Sequence, residues 1–519
     1  MTNKTSNVLT LLVFILLAAL GGLTVHYGMQ WGPWAYNDSA AYLSAARNLA
    51  LGNGPVILHS SGKISPVLEF PPLYPFLLSL FGITKFDPNS VIRILKSVLF
   101  ATTVFVFTLT IYKNTGKIIS ALIAGGVFTS TQLMLFIYTS AMSEPFFIFL
   151  LVSILFTLNE YFSRKTFKSF VLLTAFSALL PLARIAGILF VGGFGAMILL
   201  FAPLSDLKHR LRKTLVYFFF AFLPSLIWFV IRYFAYGKVG GKRFELSYLN
   251  MQTFGISARK IINVLSGWIP YWDVYTSTIF RSGIALLLIL VSSVIILPLI
   301  DFFRNSTERI KPSGKMIITT LSLGMGYLFF IAVIHVISIP QIDVIDRMLV
   351  PIIPLGIMLL IISLDTIWIK FGKSYILMIG ILFASLLLIR FNILTGKTFI
   401  ENMHENGLGF NARNLQESGI ISELKEISVK HVTASNSAGF VLYHTNVYPY
   451  QIDQFPNHPF GTGESYGEKD FRESNGRLIL LYSDFNNYYG DQAPELLNTI
   501  TKSLIIEYED DEGAIYSYP

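Results

Sequence analysis

The stretch "SEPFFIFLLVSILFTLNEYFSRKTFKSFVLLTAFSALLPLARIAG", Ser143 to Gly187, decides what kind of chain this is. Two apolar runs, 145–162 and 167–183, each approach the ~20 residues that one crossing of a bilayer takes. Arg164, Lys165 and Lys168 separate them, and no other base interrupts either run. A lone acid, Glu144, opens the first run, and a lone base, Arg184, ends the second. Charge beside lipid is costly and needs a reason. Read together, the stretch is a pair of spans with a basic turn on one side of the membrane. A carboxylate and a guanidinium stand on the other.

The rest of the chain repeats this grammar. Of 519 residues, 53% are hydrophobic and only 13% charged, against roughly 25% charged in an average soluble domain. Apolar runs lie near 8–26, 92–112, 118–138, 145–162, 167–183, 186–202, 214–235, 282–300, 316–338, 348–367 and 374–394. The expectation is a polytopic α-helical membrane protein of about eleven transmembrane helices. Val8 to Val25 lacks a small-residue cleavage site before Tyr27 and is read as a retained first span rather than a signal peptide.

Lys and Arg set the orientation. Lys113 and Lys117, then Arg164 to Lys168, Lys208 to Lys213, Arg304 to Lys315, and Lys370 with Lys373 occupy alternate loops. With Lys4 these belong inside, so the amino terminus is expected in the cytoplasm and the carboxyl-terminal tail outside the cytoplasmic membrane. From Lys397 onward the tail holds 8 Lys/Arg and 18 Asp/Glu, a net of −10, whereas the body carries +18. The chain therefore divides into a transmembrane body, 1–395, and a soluble extracytoplasmic domain, 396–519. The basic charge sits in short loops between apolar runs, which is not a nucleic-acid footprint. With no cysteine in the chain, disulfides and thiolate metal sites are excluded.

Two outer loops are long, Tyr27 to about Ser90 and Gly237 to Arg281. In the first, "PPLYPFLLSLFGI" is too short to cross and reads as an interfacial or re-entrant helix. "DSAAYLSAARNLALGNG" reads as a second helix, capped by Asp38 and ended by Gly52-Asn53-Gly54. Its Tyr42, Ala46, Leu49 and Ala50 share one face that would lie along the membrane surface. The tail reads as a small α/β domain: helices at "ESGIISELKEIS" and "APELLNTITKS", strands at "HVTASN" and "GRLILLYSD", and a hairpin at "SLIIEYEDDEGAIYSY".

The body has thirteen acids. Glu160, Asp206, Asp301, Glu308 and Asp365 fall inside among bases, as solvated loop charges. Outside, Asp87 belongs to a turn, and Glu245 and Asp273 stay unassigned. Asp38, Glu69 and Glu144 each abut an apolar helix at the same membrane face. Glu144 beside Pro145 also suits a plain helix start. Arg184 and Arg347 stand at outer ends of spans, as anchors or as partners of acids, Arg347 with Asp343 for instance. His335 is read as a packing residue rather than a metal ligand. With Glu69, Tyr42 and Tyr74 it completes the candidate substrate contacts.

These motifs occur in an order that resembles the multi-spanning glycosyltransferases of the C-type (GT-C) fold. "DSAAYLSAARNLALGNGP" is followed by "EFPPLYPFLLSLF", "SEPFFIFL", "LARIAG" and "DRMLVPIIP". The similar branch holds protein O-mannosyltransferases and lipid A aminoarabinose transferases, and the likeness covers Met1 to about Thr395. It implies transfer of a sugar from a polyprenyl-phosphate carrier to an extracytoplasmic acceptor (glycan, lipid or protein). It also implies that the first-loop acid is Asp38, the second acid Glu144 and the basic residue Arg184. The chain departs from many relatives in having Asn37-Asp38 where they carry two adjacent acids, and Glu69-Phe70 where some carry a lysine before the prolines.

The reaction needs a base, positive charge for the departing phosphate, and a site that meets both lipid and water. Asp38 is the candidate base, and Glu144 orients the acceptor or holds a divalent cation (Mg or Mn) through water. Arg184 and Arg347 suit the phosphate, since a guanidinium binds it in bidentate fashion. Two carboxylates are too few to specify a metal site, which stays open. A single displacement would invert the anomeric carbon. Two other readings follow from the same residues: a ligase or polymerase moving whole lipid-linked glycans, and a transporter or flippase. Spans poor in mid-membrane charge, and halves without a visible repeat, count against transport.

Overall fold

The computed structural model describes residues 2–519 except 82, 84, 203–205, 239, 242, 269–295, 297–299, 301–310, 372–374, 453–472, 503 and 518–519. Contacts divide the chain into two compact units. The first comprises Met1–Val25, Lys96–Tyr138 and Ser143–Ile400, the second His26–Leu95, Thr139–Met142 and Glu401–Pro519. The first outer loop thus belongs to the same unit as the tail.

The chain is a multi-pass membrane protein. Among the described residues five helices are long and apolar enough to cross: Val8–Gly28, Pro88–Thr115, Glu144–Arg164, Leu207–Tyr236 and Pro312–Ile337. The pair Ile118–Ser130 and Gln132–Tyr138, bent by 60°, is apolar enough to be a sixth, as a broken span or a re-entrant loop. The bend has a local cause. Thr129, Ser130 and Thr131 turn their hydroxyls back onto the carbonyls of Gly125, Gly126 and Val127 at 2.7, 2.8 and 2.6 Å, and Thr131 leaves the helical region.

The expected count of eleven is larger than this. Phe167–Ala183 and Gly187–Phe201 form as expected, but with 17 and 15 residues they rise only about 25 and about 22 Å, less than the ~30 Å core. The run at 348–367 appears as Ile352–Phe371, of which Ile352–Thr366 is a shorter apolar helix. The run at 374–394 lies in helix Tyr375–Asn406. The run at 282–300 and Asp273 lie outside the described residues.

In the first unit, helix Glu144–Arg164 packs along Phe167–Ala183, and the latter packs on Gly187–Phe201. At one end Lys113 and Arg164 pair with Glu160 at 2.6 and 3.0 Å, and Lys117 pairs with Asp365 at 2.7 Å. These are the charges that the sequence assigns to one face. Glu144 stands at the other end of its 21-residue helix, about 30 Å away. In the second outer loop, Arg243–Phe244 pairs antiparallel with Ser338–Ile339, and helix Met251–Gly267 starts with an Asn250/Thr253 capping box.

The second unit is α/β. Its five-stranded sheet runs Tyr450–Gln451, Thr433–Ser435, Arg477–Leu481, Gly513–Ser517, Ile505–Glu509. Leu478, Leu480, Phe485, Leu496 and Tyr516 fill its core. Helices Ile420–Lys430 and Ala493–Thr501, the two strands and the closing hairpin fall where the sequence puts them. Helices Ala438–Thr445 and Tyr482–Tyr489 are additional. "PPLYPFLLSLFGI" forms the eight-residue helix Leu73–Leu80.

Two expectations for the first outer loop need correction. Helix Asn37–Ala50 starts two residues earlier than an Asp38 cap implies, with Tyr36 as its N-cap, so Asp38 sits in the first turn and is not the cap. Nor does the helix present one apolar face with the other left to solvent. Ser39, Ala40, Tyr42, Leu43, Ser44, Ala45, Ala46 and Asn48 are all buried, because Leu73–Leu80 and Ala438–Thr445 both pack on it. Its Ala and Ser residues permit that close approach on several sides.

Candidate functional site

In the first unit the structure joins two of the expected residues. Arg184 Nη1 lies 2.6 Å from Glu144 Oε1, with the Glu144 side chain 4% exposed and that of Arg184 26%. The contact is a close ion pair, although neither carboxylate oxygen has an aligned hydrogen bond. Arg184 Nη1 also donates to Ser143 Oγ at 3.4 Å.

Local sequence explains the placement. Pro145 occupies the first turn of the Glu144 helix, where its missing N–H costs nothing. Helix Phe167–Ala183 ends as Arg184 turns extended (φ −152, ψ 140). The chain then restarts at Gly187, whose N–H donates to Arg184 O at 2.8 Å. A Cβ at Gly187 would lie 2.5 Å from the Leu180 carbonyl carbon, so only glycine permits this reversal.

Further basic groups act on the same carboxylate: after Arg184, Arg347 and then Lys96 contribute positive potential at Glu144. Lys96 is fully buried in helix Pro88–Thr115. Tyr327, whose hydroxyl donates to Met348 O at 2.6 Å, feels both Arg184 and Glu144. Arg347 therefore contributes to the electrostatics of Glu144, and Asp343 lies 3.9 Å from Lys260.

His335 is buried with its ring nitrogens on Ile342 O and Gln341 Nε2, the role expected of a packing residue. It also borders a cavity of about 340 Å³ with Tyr248 and Gln341. Among the described residues no three His, Asp or Glu side chains gather in a way that could hold a metal ion.

In the second unit Asp38 is half-buried and Glu69 exposed. Tyr42 and Tyr74 are buried, their rings 5.3 Å apart, with Phe70 4.5 Å from Tyr42. Beside the start of the Asp38 helix opens a cleft of about 830 Å³, bordered by Tyr36, Asn37, Tyr448, Asp484 and Tyr488. Burial and the Asp484 charge push the Tyr36 phenol up. Asn37 Oδ1 packs against Gly439, where no Cβ would fit.

No family model and no curated protein sequence matches the chain. Among solved structures it is similar to ArnT from Cupriavidus metallidurans bound to undecaprenyl phosphate, with a TM-score of 0.56, 11% identity and 97% of each chain covered. It is also similar to the Archaeoglobus fulgidus oligosaccharyltransferase in the apo form. There the TM-score is 0.50 and identity 13%, over 98% of this chain and 74% of that one. The fold is the GT-C fold.

At such identities the likeness carries the fold and no residue role. One buried base in the field of Glu144 was not singled out by the sequence reading, Lys96 in "VIRILKSVLF". Its signal was present: a single ammonium inside an apolar helix is expensive and implies a partner. Of the aromatic residues in "NSAGFVLYHTNVYPY", Phe440 and Tyr443 are buried in packing, whereas Tyr448 borders the cleft.

Proposed function

We propose that the chain is a membrane glycosyltransferase that moves a sugar from a polyprenyl-phosphate-linked donor to an extracytoplasmic acceptor. One observation carries the reading: in a GT-C fold, a buried carboxylate, Glu144, lies within the field of Arg184, Arg347 and Lys96. Two guanidiniums on one carboxylate already leave positive potential for a further anion, and a lipid phosphate is the anion that arrives from a bilayer.

In this reading the acceptor hydroxyl attacks the anomeric carbon. The new C–O bond forms as the carbon–phosphate oxygen bond breaks, and that electron pair leaves on the polyprenyl phosphate. Asp38, in the first turn of its helix, takes the hydroxyl proton. Arg347 and Lys96 hold the phosphate, while Glu144 fixes Arg184. A single displacement inverts the sugar carbon. The chain crosses the cytoplasmic membrane eleven times, its amino terminus inside and residues 396–519 outside, with 1–395 as the catalytic body. Transfer of a whole lipid-linked glycan is the second reading, favoured by the likeness to an oligosaccharyltransferase.

The test is reconstitution in lipid nanodiscs with a panel of polyprenyl-phosphate sugars and mass detection. Polyprenyl phosphate released together with a glycosylated product is the expected result. Donors left unconsumed, or substrate crossing a vesicle without a covalent product, would overturn the proposal.

A further inference from the structure

The cleft in the second unit has a composition that selects a ligand. Of its described lining residues only Asp484 is charged, and there is no Lys, Arg or His. Phosphates, nucleic acids and acidic polymers find no cation among these described residues. An acyl chain would meet carboxamides and serines at every turn. A peptide would need an open strand edge, but the strand at this edge of the sheet, Tyr450–Gln451, has two residues, too few for strand addition.

What the cleft does offer is phenol rings beside planar amides. Tyr36, Tyr448, Tyr488 and Tyr489 line it together with Asn37, Gln451 and Asn487. Tyr488 is 81% exposed, an aromatic ring held in water. It is not a loose end. Helix Tyr482–Tyr489 carries it, and its ring stands edge-on to Tyr489 at 4.7 Å, while Tyr489 packs on Phe485 at 4.8 Å. Asn487 and Ser483 of the same helix are exposed beside it.

A sugar ring is the complement of this surface. Its C–H face covers an aromatic ring, and its rim of neighbouring hydroxyls both donates and accepts, as a carboxamide does. The volume of about 830 Å³ lies in the roughly 300–1,000 Å³ range of small-molecule sites and exceeds what one sugar ring fills.

We infer that this cleft binds a neutral oligosaccharide, stacked on Tyr488 and gripped by Asn487, and that this chain is the acceptor of the transferase. The last clause rests on the function proposed above. The binding does not.

The experiment therefore reads binding alone. Full-length protein in nanodiscs is titrated with maltohexaose, chitotetraose, a mannotriose and a galactotetraose, with oligogalacturonate and a pentaglycine peptide as comparators. Binding is followed by saturation-transfer NMR with irradiation of the aromatic protons. At least one neutral oligosaccharide should receive saturation. Tyr488→Ala and, independently, Asn487→Ala should weaken it on the order of tenfold, the scale of one lost contact of this kind. Both side chains are exposed, so the melting temperature should stay at the wild-type value. Silence across the neutral panel, tighter binding of the acidic sugar or the peptide, or affinity unchanged in both variants would overturn the inference. Binding lost in Tyr488→Ala by a protein that transfers no sugar would keep the cleft and remove the transferase. Turnover with a silent panel would do the reverse.

Discussion

Arg184 and Glu144 are forty positions apart, yet their side chains meet at 2.6 Å. Two helices joined by a basic turn bring them to one level: one climbs from Glu144 to Arg164, the other returns from Phe167 to Ala183. Neither charge is tolerable alone at that depth. Glu144 complements Arg184, and the remaining basic potential comes from Arg347 and Lys96.

Removing one partner should cost more than removing both. Glu144→Gln leaves Arg184 without its counter-ion, and Arg184→Gln leaves Glu144 only the weaker influence of Arg347 and Lys96, a loss of up to about 3 kcal/mol, at the low end for buried pairs because Arg184 keeps 26% exposure. The double variant should recover much of that stability in thermal unfolding while sugar transfer stays absent. Equal stability of all three variants would contradict the pairing argument.

Gly187→Ala tests the reversal that aims Arg184. The added methyl would meet the Leu180 carbonyl carbon and Pro181 N at 2.5 and 2.6 Å, both backbone atoms that cannot swing away. The expected loss is about 1–3 kcal/mol, accompanied by a fall in turnover. Gly192→Ala, with nothing within 4 Å of the new atom, serves as the control and should be neutral.

Asp38→Asn keeps the size and the helix position of the side chain but cannot accept a proton. Turnover should fall by about 10² or more, with expression and donor affinity at wild-type levels. Undiminished turnover would remove Asp38 from the role of base.

His444 predicts an acid-sensitive second unit. Its ring is enclosed by Phe440 at 4.7 Å and Tyr443 at 5.1 Å, and Nε2 donates to Phe410 O at 3.1 Å. Burial pushes the imidazole from 6.5 down to about 3. Between those values the unfolded chain takes a proton that the folded chain refuses. The stability it supports is whole above pH 6.5 and declines as pH falls, by up to about 2 kcal/mol at pH 5. Urea midpoints at pH 7 and 5 should differ in the wild type, and less so in His444→Gln.

The amino-acid sequence by itself determined the membrane character, the grouping of charges at one end of the helices and most elements of the tail. Those properties are local: a run of apolar residues, a cluster of bases or an alternating strand needs no distant partner to be read. Grouping Glu160 and Asp365 with Lys113, Lys117 and Arg164 required only loop charge, and the ion pairs at 2.6–3.0 Å follow it. Tertiary structure decided the rest. Asn37–Ala50 looked one-sided because the segments that cover its other faces include one almost 400 residues later, Ala438–Thr445. Lys96 gained its meaning only from a carboxylate on another helix. The cleft, too, has no linear signature, since Tyr36 and Tyr488 become neighbours in it only when the first outer loop and the tail fold into one unit.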